Sequence, residues 1–279
     1  MDVQRFAAFS DAPGGGNPAG VVLDAAGRTD AEMLAVATEV GYSETAFITG
    51  RDEHTGAYRV RYFSPAAEVA FCGHATVATA VALAERDGPG GLVFDTNAGA
   101  VPVQTTPTES GFAATLTSVA TRSRPTDGAE LDAALAALHW DHADLDPAFP
   151  PHVAFAGNDH LVLAAATRSR LADLDYDFAA LRTLMERVGW TTVHLFWRES
   201  RGVVHARDPF PIGGVVEDPA TGAAAAAFGG YLRALGVIDH PTRITVHQGA
   251  DMGRPSRLLV EVDPADARVR VTGSAVRID

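Results

Sequence analysis

The sequence predicts an α+β fold with two pseudo-repeated lobes, each a curved mixed β-sheet wrapped around a central α-helix. Two observations carry this prediction. Short motifs of the first half return in the same order in the second half, at a spacing that is too long for a solenoid and suits a duplicated domain. Each half also contains one helical segment that is apolar almost all round, as expected for a helix enclosed by strands.

Three pairs of motifs define the repeat. Gly16-Asn17 before an apolar strand matches Gly157-Asn158, and Gly41-Tyr42-Ser43-Glu44 matches Gly189-Trp190-Thr191-Thr192. Cys72-Gly73-His74-Ala75-Thr76 opens one apolar helix and is aligned with Asp218-Pro219-Ala220-Thr221-Gly222 at the start of the other. We expect the two lobes to face each other across a cleft lined by the residues in which the copies differ.

The first lobe is predicted over residues 1–120. Apolar residues at helical spacing predict a helix from Asp30 to Val40, capped by Thr29 or Asp30, and a central helix from His74 to Arg86. Short runs rich in aromatic and β-branched residues predict the strands. These are Val3–Phe9, Gly20–Leu23, Glu44–Ile48, Tyr58–Phe63, Leu92–Phe94 and Val101–Gln104.

A polar segment with a proline and a glycine predicts a linker over residues 121–128, and the second lobe is predicted over 129–265. The terminal segment 266–279 is expected to return to the first lobe as a strand. Helices of the second lobe are predicted at Glu130–His139, Phe178–Val188 and Ala220–Leu235. Its strands are predicted near Val153 and Leu161 and at Thr192–Trp197, Gly202–Ala206, Arg243–His247 and Leu258–Val262.

Composition excludes several classes of protein. The 279 residues are 47% hydrophobic and 20% charged, as in a folded globular chain, and the net charge of -13 argues against nucleic acid or an anionic membrane as partner. The one cysteine excludes an intramolecular disulfide, and the first residues lack a secretory signal, so we expect a cytoplasmic protein. All 22 basic residues are arginine, which excludes a Schiff-base lysine and a Walker-loop lysine.

Four residues are candidates for chemistry. Glu44 lies at the mouth of an apolar strand, where partial desolvation would suit a proton shuttle, although a solvated charge on an edge strand is the alternative. His74 is either a neutral hydrogen-bond donor to an oxyanion or a satisfied core residue. Asp218 either caps the second central helix or contacts the substrate. Cys72 is either a thiolate at a helix start or a buried small residue.

The starts of the two central helices predict an anion site. Glycine near each start lets the first turn present unpaired N–H groups to a carboxylate or an enolate, and the helix dipole adds to the attraction. Two ordinary capped helix starts are the alternative. The sequence has no metal-ligand pattern, no dinucleotide fingerprint and no nucleophile elbow, so we expect neither a metal nor a dinucleotide cofactor.

These motifs together resemble the PhzF-like isomerase family, named for phenazine biosynthesis. The resemblance runs in order over essentially the whole chain. It is carried by Gly16-Asn17-Pro18-Ala19-Gly20-Val21, Ser43-Glu44-Thr45-Ala46-Phe47, Phe71-Cys72-Gly73-His74-Ala75-Thr76, Glu217-Asp218-Pro219-Ala220-Thr221-Gly222 and Gln248-Gly249 with Gly253-Arg254. It implies the diaminopimelate epimerase-like fold, a homodimer, and isomerisation without a cofactor of trans-2,3-dihydro-3-hydroxyanthranilate or a similar carboxylate-bearing small molecule.

The resemblance also implies roles for individual residues. Glu44 would carry the proton between ring carbons, while His74 and Asp218 would contact and orient the substrate. The other residues implied to bind the substrate are Asn17, Ser43, Cys72, Gly73, Thr221, Gly222 and Ala223.

Two departures from the family pattern bear on the substrate. Ala223 stands where the family commonly has serine, and Ala75 stands where proline is common. Epimerases of this fold use two thiols at places aligned with Cys72 and Asp218, and only the first is present here, which favours a one-base shuttle. The alternatives are an amino or hydroxy acid epimerase that uses Cys72 and Asp218, and a metabolite-binding protein without turnover.

Overall fold

The computed structural model describes residues 1–279, which divide into two compact units. Unit 1 comprises Met1–Thr117 and Thr272–Asp279, and unit 2 comprises Ser118–Val271. No helix in either unit has both the length and the apolar character needed to cross a membrane.

Unit 1 is a mixed sheet around one buried helix. Its elements are β1 (Gln4–Ala8), β2 (Asn17–Val22), α1 (Asp30–Val40), β3 (Glu44–Arg51), β4 (Tyr58–Phe63), β5 (Glu68–Val69), α2 (Gly73–Asp87), β6 (Gly91–Thr96), β7 (Gly99–Thr108) and β8 (Gly111–Thr117). Strand β3 runs parallel to β2 and antiparallel to β4, and β4 runs parallel to β6. Every residue of α2 from His74 to Ala84 is buried, as its charge-free sequence predicts.

Helix α1 positions the start of β3. Its N-terminus is a capping box, in which the Thr29 side chain accepts from the Glu32 amide and the Glu32 carboxylate accepts from the Thr29 amide. The helix ends at Gly41, whose φ of 71° is a left-handed conformation that glycine adopts without strain. The predicted bounds of this helix are confirmed. Because the chain turns at Gly41, β3 begins three residues later at Glu44.

Unit 2 repeats this plan. Its elements are β9 (Arg122–Pro125), α3 (Gly128–Ala137), β10 (His152–Phe155), β11 (Asp159–Ala164), α4 (Arg168–Ala172), α5 (Phe178–Val188), β12 (Trp190–Arg198), β13 (Val203–Pro209), β14 (Glu217–Asp218), α6 (Gly222–Ala234), β15 (Thr242–Gln248) and β16 (Ser256–Val262). Strand β12 runs parallel to β11 and antiparallel to β13, and β13 runs parallel to β15. The residues of α6 from Ala224 to Leu232 are buried. The predicted duplication of the fold is confirmed.

Strand register defines which residues are equivalent in the two units. Glu44 pairs with Ala19 across β2 and β3, and Thr192 pairs with His160 across β11 and β12. Each pair lies at the same place in the repeated plan, so Glu44 and Thr192 are equivalent, as the sequence predicted.

The predicted equivalence of Cys72 with Asp218 is wrong by three residues. Asp218 pairs with Asp208 in β13, at the place where Val69 pairs with Tyr62 in unit 1. Residues 64–67 connect β4 to β5, whereas the longer segment 210–216 connects β13 to β14. Because the connection in unit 2 is longer, the residues that follow it lie later in the chain than the sequence motifs suggest, and the motif alignment of Cys72 with Asp218 fails.

The N-termini of the two central helices show the same three-residue displacement from the motif alignment. Cys72 is the N-cap of α2 and Thr221 is the N-cap of α6, so Cys72 corresponds to Thr221. His74, the second residue of α2, therefore corresponds to Ala223 and not to Ala220.

The segment 121–128 is not a free linker. It contains β9, which pairs antiparallel with β10, and the guanidinium of Arg122 lies 3.4 Å from the centroid of the Phe155 ring. Strand β9 is largely exposed, and this exposure explains a polar sequence that resembles a linker. The last strand, β17 (Val269–Arg277), lies within the predicted segment 266–279, and within unit 1 it pairs antiparallel with β1.

Candidate active site

Three chemically reactive side chains of unit 1 lie in one cluster. Glu44 is the first residue of β3, Cys72 is the N-cap of α2, and His74 is the second residue of that helix. The Glu44 Oε2 atom lies 3.4 Å from His74 Nε2 and 3.5 Å from Cys72 Sγ. The sulfur lies 3.3 Å from His74 Nδ1 and 3.8 Å from Nε2. The start of β3 and the start of α2 therefore bring together residues that are far apart in the sequence.

His74 is buried, and its surroundings favour the neutral imidazole. Burial lowers the pKa of its imidazole, and the nearby Glu44 carboxylate and a hydrogen bond to the Pro18 backbone only partly oppose this effect. The Asn17 Nδ2 atom lies 3.2 Å from Nδ1, and the Ser43 hydroxyl lies 3.4 Å from Nε2. A neutral imidazole held on both sides can donate a hydrogen bond without carrying charge.

The turn before β2 positions Asn17. Gly16 has a φ of 68°, and a Cβ atom at this position would lie 2.5 Å from the Ala8 carbonyl oxygen. Only glycine fits such a turn. The turn places Asn17 at the first position of β2, where its side chain is buried against His74.

Glu44 combines partial exposure with a polar neighbourhood. Its side chain is 18% exposed, whereas His74 and Cys72 are 6% and 7% exposed. The carboxylate can therefore reach a ligand from solvent while it keeps contact with the thiol and the imidazole. Such a carboxylate can accept a proton from a bound molecule and return it.

Cys72 is fixed through its backbone. The Thr76 hydroxyl donates to the Cys72 carbonyl at 2.7 Å and lies 2.6 Å from the Tyr62 hydroxyl. Tyr62 and Thr76 are buried, and burial raises the pKa of the Tyr62 hydroxyl. The sequence expectations did not include these two residues, because hydroxyl groups inside an apolar helix and strand give no signal of a site.

The two central helices differ from the four peripheral helices at their N-termini. Neither Cys72 nor Thr221 makes a side-chain cap hydrogen bond. The other four helices are capped by the side chains of Thr29, Asp127, Thr167 and Asp177. A Cβ atom added at Gly73 would meet no heavy atom within 4 Å, so the first turn of α2 borders open space. Uncapped first-turn amides next to open space suit a bound anion.

In unit 2, Asp218 belongs to a separate hydrogen-bond network. The Thr221 hydroxyl donates to Asp218 Oδ2 at 2.6 Å, and Gln248 Nε2 donates to the Asp218 carbonyl at 2.8 Å. The Gln248 Oε1 atom accepts from the Thr221 amide at 3.1 Å. Because Thr221 is the N-cap of α6, Asp218 is not the cap of this helix. The network fixes the Asp218 carboxylate at the start of α6.

Gln248 is a further residue of this network. Gly249 follows it with a φ of 72°, and a Cβ atom there would lie 2.7 Å from the Pro219 carbonyl oxygen. This close approach requires glycine and keeps the end of β15 against the segment that carries Asp218. Gln248-Gly249 was identified in the sequence as a family motif, but no role was predicted for the Gln248 side chain.

The predicted site residues thus lie in two groups. Asn17, Ser43, Glu44, Cys72, Gly73 and His74 belong to unit 1, whereas Asp218, Thr221, Gly222 and Ala223 belong to unit 2. In the unit 1 group, Glu44, Cys72 and His74 also offer an oxygen, a sulfur and a nitrogen within 4.8 Å of one another, a set of atoms that can hold a metal ion. No sequence pattern indicates this set, because Glu44 is distant from the other two residues along the chain.

Comparison with known proteins identifies the relatives of this chain. The family model PhzC-PhzF, described as phenazine biosynthesis-like protein, matches residues 6–279. The uncharacterised isomerase YddE of Escherichia coli is 33% identical over 98% of this chain and 95% of that protein.

Two solved structures share the fold. A phenazine biosynthesis protein of the PhzF family from Bacillus anthracis superposes with a TM-score of 0.88 at 27% identity, over 100% of this chain and 98% of that one. A predicted epimerase from Pseudomonas aeruginosa has a TM-score of 0.86 at 27% identity, over 99% of this chain and 96% of that one. The fold class expected from the sequence is confirmed.

Proposed function

Because the chain belongs to the PhzC-PhzF family of phenazine biosynthesis-like isomerases, we propose that it moves a proton within a small carboxylate-bearing molecule. Glu44 is the acid/base group of this proposal, and the reaction uses no cofactor. The observation that supports it most directly is the position of the Glu44 carboxylate, partly exposed and within 3.5 Å of both His74 Nε2 and Cys72 Sγ.

The proposed reaction has two proton transfers. Ionised Glu44 takes a proton from a carbon next to an activating group, and the C–H electron pair is delocalised into that group as an enolate-like intermediate. Glu44, now a carboxylic acid, returns the proton to a different carbon of the same molecule. Substrate and product are therefore isomers, and the enzyme ends in its initial protonation state.

His74 and the start of α2 stabilise the charge in this proposal. The neutral imidazole donates a hydrogen bond to the developing oxyanion, as a histidine of lowered pKa can do without first losing a proton. The uncapped amides of α2, including that of Gly73, receive the carboxylate of the substrate. Asn17 and Ser43 hold the imidazole in its orientation.

The substrate class follows from the family resemblance and is a molecule similar to dihydro-hydroxyanthranilate. In this proposal Asp218, Thr221 and Gly222 contact the polar groups of the substrate, and Ala223 contributes no hydroxyl where the family commonly has serine. In this proposal the absence of a hydroxyl at Ala223 changes which substrates bind and does not change the proton transfer.

The test uses the wild-type protein in deuterated water. With trans-2,3-dihydro-3-hydroxyanthranilate as probe, we expect an isomerised product that carries solvent deuterium at the protonated carbon, measured by mass spectrometry and NMR. A methyl ester of the probe is the matched control and should react more slowly. Binding of the probe without isomerisation or deuterium uptake would overturn the proposal and favour a metabolite-binding protein.

Epimerisation of an amino or hydroxy acid is the second candidate function, because the Cys72 thiol stands at the start of the helix that is proposed to bind the substrate carboxylate. In this alternative Cys72 and Asp218 are the acid/base pair. Cys72→Ala should then abolish racemisation of a panel of amino and hydroxy acids. Undiminished turnover in this variant would exclude the alternative.

A homodimer is also proposed, from the family resemblance. Size-exclusion chromatography with light scattering should give twice the chain mass of 29.2 kDa, and a mass equal to one chain would contradict it.

A further inference from the structure

We propose that Glu44, Cys72 and His74 form a binding site for a thiophilic divalent cation, Zn²⁺ in particular, and that the bound ion inhibits the enzyme. The site is separate in chemistry from the isomerase reaction, which needs no metal. The ion would bind to Glu44, the proposed acid/base group, and to its neighbours Cys72 and His74.

The ligand atoms indicate which ion binds. The three side chains offer one thiolate sulfur, one imidazole nitrogen and one carboxylate oxygen. Zinc accepts all three ligand types, whereas Mg²⁺ and Ca²⁺ prefer sites made of oxygen alone. The thiolate and the carboxylate together carry the two negative charges that neutralise a divalent ion. A fourth position would be left for water or for an anionic ligand, as in zinc sites with three protein ligands.

The distances between the ligand atoms fit a tetrahedral zinc ion. Bonds of about 2.3 Å to sulfur and about 2.0–2.1 Å to nitrogen and oxygen require separations of roughly 3.5 Å for S···N and S···O and roughly 3.3 Å for N···O. The corresponding distances are 3.8 Å from Cys72 Sγ to His74 Nε2, 3.5 Å from Sγ to Glu44 Oε2, and 3.4 Å from Nε2 to Oε2. Movements of the three ligand atoms by a few tenths of an ångström would bring them to tetrahedral zinc distances.

The surroundings of the imidazole also suit a metal ligand. A zinc-bound histidine usually makes a hydrogen bond through its other ring nitrogen, which fixes the orientation of the ring. Here the imidazole donates to the backbone of Pro18, which offers only its carbonyl oxygen as acceptor, and a bond of this kind can orient a metal-bound ring. The imidazole and the thiol are buried, while the partly exposed Glu44 leaves a path to solvent.

Inhibition is the part of this inference that rests on the proposed function. A zinc ion bound to Glu44 occupies the oxygen that would accept the substrate proton, and it also removes the neutral His74 from its role as donor. Zinc should therefore inhibit reversibly, and a chelator should restore the activity.

The first experiment measures binding without any assay of activity. The purified full-length protein is titrated with Co²⁺ as a spectroscopic probe and with Zn²⁺ in competition with a chromophoric chelator. We expect one ion per chain, with a thiolate-to-cobalt charge-transfer band and the intense visible absorption of tetrahedral cobalt. Loss of a direct ligand in Cys72→Ser should weaken zinc binding by at least about 100-fold, since loss of an outer-shell partner alone costs about 10–100-fold.

A surface histidine pair provides the matched control. The rings of His205 and His247 lie 5.4 Å apart, and His205 Nε2 lies 2.6 Å from Glu199 Oε2, so this pair serves as the control for metal binding by histidines outside the cluster. His247→Ala should leave the tight site and the charge-transfer band unchanged. Circular dichroism of Cys72→Ser checks that this variant is folded.

The outcomes separate this inference from the proposed function. Absence of the charge-transfer band, or zinc binding that is lost in His247→Ala and kept in Cys72→Ser, would overturn the metal site. A chain that binds zinc through Cys72 but transfers no proton would keep the metal site and refute the isomerase mechanism. Catalysis that is unaffected at saturating zinc would refute the inhibition.

Discussion

The two units differ at the strand pair that holds Glu44 in unit 1 and Thr192 in unit 2. In unit 1 the pair Ala19 and Glu44 combines a small residue with a carboxylate that reaches solvent. In unit 2 the equivalent pair is His160 and Thr192, and the imidazole Nδ1 lies 2.8 Å from the threonine hydroxyl with both residues buried. Unit 1 thus has an accessible carboxylate at this position, whereas unit 2 has a buried histidine that is hydrogen-bonded to a threonine.

The next inward position shows the same contrast. Ala46 follows Glu44 by two residues in β3, whereas the equivalent His194 in β12 lies 2.9 Å from Asp208, and both partners are completely buried. Polar residues in unit 2 therefore pair with one another inside the protein, while His160 Nε2, His194 Nε2 and Asp208 Oδ2 are buried without a hydrogen-bond partner. The two copies of the fold thus place polar groups at equivalent positions for chemistry in unit 1 and for internal structure in unit 2.

Breaking the buried pair of unit 2 should have the largest effect on stability. His194→Ala gives unit 2 the residue of unit 1 at this position but leaves the Asp208 carboxylate buried without its partner. We expect the free energy of unfolding to fall by about 3–5 kcal/mol, measured by urea denaturation.

An exposed pair is the control for this variant. His142 and Asp132 also lie 2.9 Å apart, but their side chains are 67% and 68% exposed. His142→Ala should change the free energy of unfolding by less than about 1 kcal/mol, because solvent screens exposed ion pairs. Similar losses in the two variants would contradict the structural role of the buried pair.

Buried neutral histidines should make the stability depend on pH. Burial, with a smaller contribution from His194, lowers the pKa of His160 to about 3. Between this value and the ordinary pKa of about 6.5, the unfolded chain binds a proton that folded His160 does not. The free energy of unfolding should therefore decrease as pH falls below about 6.5, by up to about 1.4 kcal/mol per pH unit for this residue.

The variant His160→Gln isolates this contribution. Urea denaturation at pH 6.5, 5.5 and 4.5 should show a steeper pH dependence for the wild type than for the variant. Carboxyl groups titrate near the low end of this range in both proteins, so the difference between the two slopes reports the contribution of His160. Equal slopes would show that His160 takes up its proton in the folded state and would contradict its buried, neutral state.

The smallest effect on stability is expected at the start of α2. Gly73→Ala adds a methyl group in open space, so the free energy of unfolding should change by less than about 0.5 kcal/mol. The same methyl group obstructs the amides that are proposed to hold the substrate carboxylate. We expect the KM for the probe to rise by about tenfold, a loss of roughly 1.4 kcal/mol. An unchanged KM would remove this helix start from the binding site.

The sequence predicted the elements better than the details of the site. Helices α1 and α5 were predicted with their observed bounds, because apolar spacing, a capping residue and a terminal glycine all agree there. The short strands β5 and β14 were missed, because two residues give no periodicity. The three-residue misalignment of Asp218 arose in the connection between β13 and β14, whose length the motifs do not show.

The proximity of Glu44 to Cys72 and His74 was beyond sequence reasoning for a different reason. Contact between the start of β3 and the start of α2 depends on tertiary packing, and no spacing along the chain encodes it. The buried pair of His194 and Asp208 was missed as well, because each residue alone resembles a scattered polar residue in a strand.

Deuterium exchange in a Glu44 variant tests whether this carboxylate carries the proton. Glu44→Gln removes the acid/base group and keeps the shape of the side chain, and Glu39→Gln, an exposed residue of α1, changes the net charge equally. If Glu44 moves the proton, uptake of solvent deuterium into the probe should fall by about 10²–10⁴-fold in Glu44→Gln and stay at the wild-type rate in Glu39→Gln. Exchange at the wild-type rate in a folded Glu44→Gln protein would contradict the account.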